Sequence, residues 1–139
     1  MSTANWDLDP SMESTAIVQL QPKYDLFIGG CWQKPKSGKY FATYNPADES
    51  VLSEIAYGNQ DDVNLAVEAA RKAYNEVWSK MSGAERGKYL FRIARIMQEK
   101  SRELAVLETL DGGKPIRESR DIDIPLACNH FFYYAGWAD

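Results

Sequence analysis

Cationic runs are missing from this sequence: its sixteen Lys and Arg are scattered among twenty Asp and Glu, for a formal charge of -4. That balance leaves no electrostatic footprint for nucleic acid. No stretch approaches the roughly 18 apolar residues that a membrane-spanning helix requires, so no membrane partner is expected. Residues 1–21 lack Lys and Arg and carry Asp7, Asp9 and Glu13. Secretory leaders start basic and organellar ones are basic and poor in acids, so a cytoplasmic chain is expected. Cysteine and histidine are scarce as well: Cys31 and Cys128 lie far apart, and His130 is alone. Two such thiols without a leader are expected to stay reduced, and an ordinary zinc cluster has nothing to build on. Neither GxGxxG nor GxxxxGK[ST] occurs. Gly29-Gly30 and Gly112-Gly113 are single pairs that read better as turns than as phosphate cradles.

What is present suits a globular chain. The 139 residues match one ordinary domain, and 45% hydrophobic with 26% charged residues is unexceptional. Residues 1–22 are polar and aperiodic and read as a mobile or surface-draped extension. Trp6 within it is either a docked anchor or a partly exposed aromatic. Leu26-Phe27-Ile28 and Cys31-Trp32 flank Gly29-Gly30, which predicts a hairpin. Residues 39–44 and 51–57 predict a second strand pair around the turn signal Asn45-Pro46. The first third is therefore expected to be a small antiparallel β region.

After Gly58 the chain reads as four helices. Val63, Ala66, Val67, Ala70, Tyr74 and Val77 form one apolar stripe, behind an Asn59 cap with Asp61 and Asp62 in the first turn. Ser82-Gly83-Ala84-Glu85 has the form of a capping box. It opens a helix with Leu90, Ile93, Ala94 and Met97 on one face. Arg86, Lys88, Arg92 and Arg95 occupy the others, as a solvated basic face. Ser101 is expected to cap a third helix, ended by Gly112-Gly113 and Pro115. The last helix is expected to start near Asp121 or Asp123, with Pro125 at or just after its first turn. Ile122, Leu126, Tyr133, Tyr134 and Trp137 keep a 3.6-residue period, and bulky aromatics ring this helix on every face. Such a helix needs burial on every face. No glycine, asparagine or proline signal closes it, so a front part of a longer protein is expected.

Little in these residues carries chemistry. Cys128 and His130 are two apart, pointing roughly 200° apart on a helix, so they do not face each other. Cys128 reads as a small core residue and His130 as a packed or hydrogen-bonded one. Asp121 and Asp123 read as helix-start carboxylates rather than an acid–base pair.

The order LFIGGCW, YNPADESVLSEIA, DVNLAVEAARKAY, RGKYLFRIA, LETLDGGKP and FFYYAGWAD resembles the start of an aldehyde dehydrogenase, across residues 24–139. LETLDGGKP followed at that distance by YYAGWAD is the specific part, whereas AVEAARKAY is mimicked by any amphipathic helix. The resemblance implies an α/β fold: the N-terminal part of a cofactor-binding domain, with short β hairpins followed by about four helices. Residues 23–139 would be the N-terminal portion of that domain, truncated at its C-terminal end, behind an extension of residues 1–22. It implies a parent enzyme that oxidises a small-molecule aldehyde to a carboxylic acid with NAD or NADP, working as a homo-dimer or homo-tetramer. The family's catalytic cysteine, glutamate base, oxyanion asparagine and nucleotide motifs have no matching position here, so no catalytic or cofactor-binding residue is expected within the chain.

Two sets of positions do match. A monovalent cation, K+ or Na+, would be held by the backbone carbonyls of Thr43 and Tyr44 and by Asp111, oxygen donors that suit a hard cation. Asp111 reads equally as a residue that ends its helix. Gly112 stands where the family more often has Asn, and is expected to take the same left-handed conformation. Ile122 and Leu126, one turn apart, would border the aldehyde tunnel, or else make ordinary core contacts. A different class remains open: a non-catalytic binding or oligomerisation module that shares this front part.

Overall fold

Two glycines at positive φ make the hairpin that the sequence predicts. The computed structural model describes residues 14–138. Within it β2 (Leu26–Ile28) and β3 (Cys31–Gln33) pair antiparallel, with Phe27 opposite Trp32. Gly29 and Gly30 connect them at φ 62° and 85°, both positive as a two-residue type I′ turn demands. The second predicted pair is β4 (Tyr40–Tyr44) and β5 (Val51–Ala56), also antiparallel.

The β region is not wholly antiparallel, however. β1 (Lys23–Tyr24) pairs parallel with β5, giving the order β1-β5-β4. Two residues carry too little pattern to announce a strand. Its edges are tied instead by contacts from upstream: Glu54 N–H donates to the Pro22 carbonyl at 3.0 Å. The Ser53 hydroxyl donates to the Gln21 carbonyl at 2.8 Å. Upstream of β1, Ser14 caps a short 3-10 turn, Thr15–Ile17, that rests against the third helix. Trp6 lies outside the described residues.

The parallel pairing sets Lys23 beside Glu54, and their side chains meet at 3.1 Å. The same ammonium stands 3.7 Å above the Tyr40 ring, an attraction between cation and ring face. The Tyr40 hydroxyl donates to an Asp25 carboxylate oxygen at 2.5 Å. Phenolate there would oppose that carboxylate, so the bond to Asp25 pushes the Tyr40 pKa up to about 12.

Asp62 couples the β region to the helices. It is buried, and its two oxygens accept from the Lys36 N–H at 3.0 and 3.2 Å. It also accepts from the Asn59 N–H at 2.9 Å, while Asn59 accepts from Asp61 and Asp62. One carboxylate thus closes a capping box and anchors the loop after β3. The helix it starts is α1 (Gln60–Glu76). Its apolar stripe exists but faces outward: Val63, Val67, Tyr74 and Val77 are all more than half exposed.

Helix α2 (Gly83–Glu99) starts at the expected Ser82–Glu85 box. Those hydrogen bonds from Ser82 hold the Glu85 carboxyl below the usual range. Arg86 is not on a solvated face: it is half-buried and donates to the carbonyls of Met81 at 2.6 Å and Ala138 at 3.4 Å. Helix α3 (Ser101–Gly112) begins after Lys100 alone. Ser101 is therefore its first helical residue rather than its cap. The last helix begins earlier than its carboxylates suggested. α4 (Ile116–Glu118) runs through a π-helical turn (Ser119–Asp123) into α5 (Ile124–Trp137). Neither Asp121 nor Asp123 caps it; they pair with Arg120 and Lys114 instead.

α2 and α5 pack along a seam of small residues. A Cβ added at Gly87 would lie 2.7 Å from the Ala135 carbonyl oxygen, and Phe91 meets Phe132 edge-on at 4.9 Å. The buried apolar residues are Ala56, Ala94, Ala105, Val106 and Cys128. Cys128 has the core position expected of it, whereas His130 is exposed rather than packed.

Gly87→Ala tests the seam with its sign. In an open helix interior this change stabilises by about 1 kcal/mol. Here the new methyl meets backbone, and overpacking of this kind costs typically 1–3 kcal/mol. A lowered Tm is expected; an unchanged or raised one refutes the close approach.

Tyr40 gives a pH test. Its pKa is raised on folding from 10.0 to about 12, so the bond to Asp25 stabilises fully below pH 10 and is lost as pH rises through 12. An ultraviolet titration should find a phenol that ionises near pH 12, and Asp25→Ala should remove that late step. The same late step in the Asp25→Ala protein would rule the bond out.

Candidate functional site

The expected cation ligands come from two elements that meet at a glycine. β4 and β5 run in register through Thr43 and Ser53, then shift so that Tyr44 opposes Val51. The extra residue, Leu52, makes a bulge, a device that redirects backbone groups. Asn45 then turns the chain: its N–H donates to the Ser50 carbonyl at 2.9 Å, and its carbonyl accepts from Glu49 at 2.8 Å. Glu49 sits at φ 60°, and Asn45 Oδ1 accepts from the Ala47 N–H. Asp48 accepts from both the N–H and hydroxyl of Ser50, which holds its carboxyl below the usual range.

Pro46 of that turn packs on the end of α3. The left-handed residue there is Gly113, at φ 69°, and not Gly112, which is still helical. Gly113 N–H donates to the Thr109 carbonyl at 3.0 Å. A Cβ on Gly113 would lie 3.0 Å from Pro46 Cβ. Glycine is thus required twice, by conformation and by space. Asp111 lies in the same last turn, exposed, so the structure brings its turn against the one just after Thr43 and Tyr44. Thr43 is half-buried and Tyr44 exposed.

The second expected pair, Ile122 and Leu126, straddles the junction of the π turn and α5. Both are exposed, at 56% and 52%. Each lies at the surface rather than in the core. Just behind them Lys114 forms an ion pair with Asp123 and reaches Glu108 at 3.6 Å. The bond to Asp123 raises the Lys114 pKa. Thr109 donates to the fully buried Ser119 hydroxyl at 3.2 Å. Sequence reasoning missed this cluster. Its one signal was the lysine of GGKP, which is separated from its carboxylates by a helix end and a link and so matches no helical spacing.

Cys31 is exposed at the hairpin and Cys128 is buried in α5, and neither is hydrogen-bonded to a base. No group of three or more His, Cys, Asp and Glu gathers as a metal site among the described residues. Gly29-Gly30 forms a hairpin turn, and Gly112-Gly113 ends α3. No described helix is long and apolar enough to cross a membrane.

Comparison with known proteins places this arrangement. The family model described as "Aldehyde dehydrogenase family" matches residues 32–139. Fluoroacetaldehyde dehydrogenase of Streptantibioticus cattleyicolor is 43% identical over 87% of this chain and 24% of its own length. A long-chain-aldehyde dehydrogenase of Acinetobacter sp. is 41% identical over 93% of the chain and 25% of its own. Among solved structures, the NAD+ complex of the Bacillus cereus aldehyde dehydrogenase superposes with a TM-score of 0.80 at 37% identity, covering 86% of this chain and 26% of that one. Indole-3-acetaldehyde dehydrogenase in apo form gives 0.84 at 32% identity, covering 90% and 28%. The chain thus spans about a quarter of the length of the relatives it matches, and its strands followed by helices form the N-terminal part of their fold. By these matches, with more than half its residues inside the family model, the chain belongs to the aldehyde dehydrogenase family.

Proposed function

We propose that this chain is the front part of an NAD-dependent enzyme that oxidises an aldehyde to a carboxylic acid, and that it supplies framework rather than reacting groups. The observation that carries the proposal is the 43% identity to a named aldehyde-oxidising relative over 87% of the chain. The likeness to an NAD+-bound structure supports NAD as the cofactor; NADP is the other dinucleotide the reading admits. The cofactor is assigned to the whole enzyme, and no step is routed through these residues. Residues 1–22 are read as an extension and residues 23–139 as part of the cofactor domain. A cytoplasmic homo-dimer or homo-tetramer, acting on a small-molecule aldehyde without nucleic acid or membrane, completes the reading. Wide apolar exposure on α1 and α5 supports further covering surfaces.

Within this part, Thr43 and Tyr44 carbonyls with the Asp111 carboxylate are proposed to hold K+ or Na+. The donors are all oxygen, as such ions prefer, and Pro46 on Gly113 supports the two turns' standing together. The ion would tie the end of β4 to the end of α3. Ile122 and Leu126, both exposed, are proposed to border the path by which the aldehyde enters.

The full-length protein should reduce NAD when given a simple aldehyde. Nucleophilic catalysis needs a thiol placed with a base, and Cys128 has neither access nor base. Cys128→Ser should therefore leave kcat within a few-fold of wild type. Loss of nearly all turnover in a folded Cys128→Ser protein would overturn this reading, and a folded full-length protein inert toward aldehydes would favour a non-catalytic module.

The cation is tested separately by melting. At fixed ionic strength, exchanging tetramethylammonium for potassium or sodium should raise the Tm of the full-length protein, and Asp111→Ala should abolish the rise. A Tm indifferent to the exchange in both proteins would dismiss the site.

A further inference from the structure

The π turn is the one irregularity in the long last helix, and both of its ends are tied to α3. Ile124 N–H donates to the Ser119 carbonyl, five residues back rather than four. A π turn takes in one extra residue, so the helix beyond it is rotated by about 100° from where an unbroken α-helix would carry it. Ile122 sits inside that turn and Leu126 just beyond it. The direction in which the stretch from Ile122 to Leu126 faces relative to α3 therefore depends on the turn's being held.

Two contacts hold it. At the first residue, the Ser119 hydroxyl is fully buried and accepts from Thr109 of α3. At the last residue, Asp123 pairs with Lys114, which also reaches Glu108 of α3. Lys114 lies in the short link after Gly113, whose left-handed conformation sends the chain back toward α3. Isolated ion pairs between half-exposed groups add little stability. A fixed carboxylate adjoining Ile122 constrains geometry more than it stabilises the fold.

We propose that Lys114 and Thr109 are positioning residues: through Asp123 and Ser119 they hold the π turn in the register that sets Ile122 and Leu126 at the aldehyde's approach. This rests on the reading of those two residues as the border of the substrate path. Neither Lys114 nor Thr109 touches substrate on this account. Releasing the turn changes which aldehydes are accepted and leaves the chemistry alone.

The test uses the full-length protein and a series of aldehydes from acetaldehyde to decanal. Ile122→Ala and Leu126→Ala first check the border itself, by a KM that changes across the series. Lys114→Met should then raise KM for the long aldehydes about tenfold, the scale of a misfitted apolar contact, with kcat for acetaldehyde unchanged. Lys114→Arg keeps the cation and should restore KM. Thr109→Val should move KM in the same direction, and serves alone if Lys114→Met does not fold. Should the Ile122 and Leu126 variants shift KM while Lys114→Met and Thr109→Val do not, this inference fails and the border stands. A parallel fall in kcat and Tm, without a chain-length dependence in KM, would assign these residues a purely structural role. Ile122 and Leu126 variants without effect, or a full-length protein inert toward aldehydes, would overturn the underlying reading and this inference with it.

Discussion

The close approach of α2 and α5 is the contact on which the helical part depends. Gly87 lets a backbone carbonyl of α5 reach α2 where any other residue would place a Cβ within 2.7 Å. Helices that near each other gain dispersion contacts along their length, here extended by Phe91 against Phe132. Arg86, next to Gly87, fastens the same end by reaching the Ala138 carbonyl. Since α3 connects α2 to the last helix, that pairing also limits where α3 can run. The β region then attaches through Asp62 on α1 and through Pro46 on Gly113.

That framework buries little. Its enclosed apolar residues are small, and among the described residues the largest side chain below 2% exposure is Ser119. Each Å² of apolar surface kept from water is worth about 25 cal/mol, so the exposed Val63–Val67 face of α1 and the Tyr133–Trp137 end of α5 forgo a large share of the stabilisation that their composition permits. Their periodicity is that of buried helices. Pattern and exposure are reconciled if these faces are interior in the proposed full-length enzyme, of which relatives suggest that this chain represents about a quarter.

Elements governed by neighbours in sequence were legible. Gly29-Gly30 specifies its turn by φ alone, and Asn59 and Ser82 cap helices by reaching two or three residues ahead. Features governed by distant partners were not. β1 is a strand only because β5 and the residues before it lie alongside. Asp123 caps no helix because it pairs with Lys114, nine residues back, and the last helix already begins at Ile116. Arg86 lost its expected place on a solvated face to a carbonyl 52 residues away. Of the candidate site, the sequence indicated Asp111 and Ile122, through resemblance; the ties behind Ile122 had no local pattern to reveal them.

The stretch Thr109–Lys114 shows in physical terms why LETLDGGKP was the specific part of the resemblance. An amphipathic stripe constrains only polarity, so many sequences satisfy it. In the α3 terminus single residues meet separate demands. Thr109 donates a hydroxyl to a buried Ser119, and its carbonyl accepts the capping N–H of Gly113. Gly113 must have both positive φ and no side chain, because Pro46 occupies the space. Lys114 must span two carboxylates, one on α3 and one at the end of the π turn. A substitution at any of them breaks a different contact, and no neighbour can compensate for another. Independent constraints of this kind multiply, and their product is what makes a short motif improbable by chance.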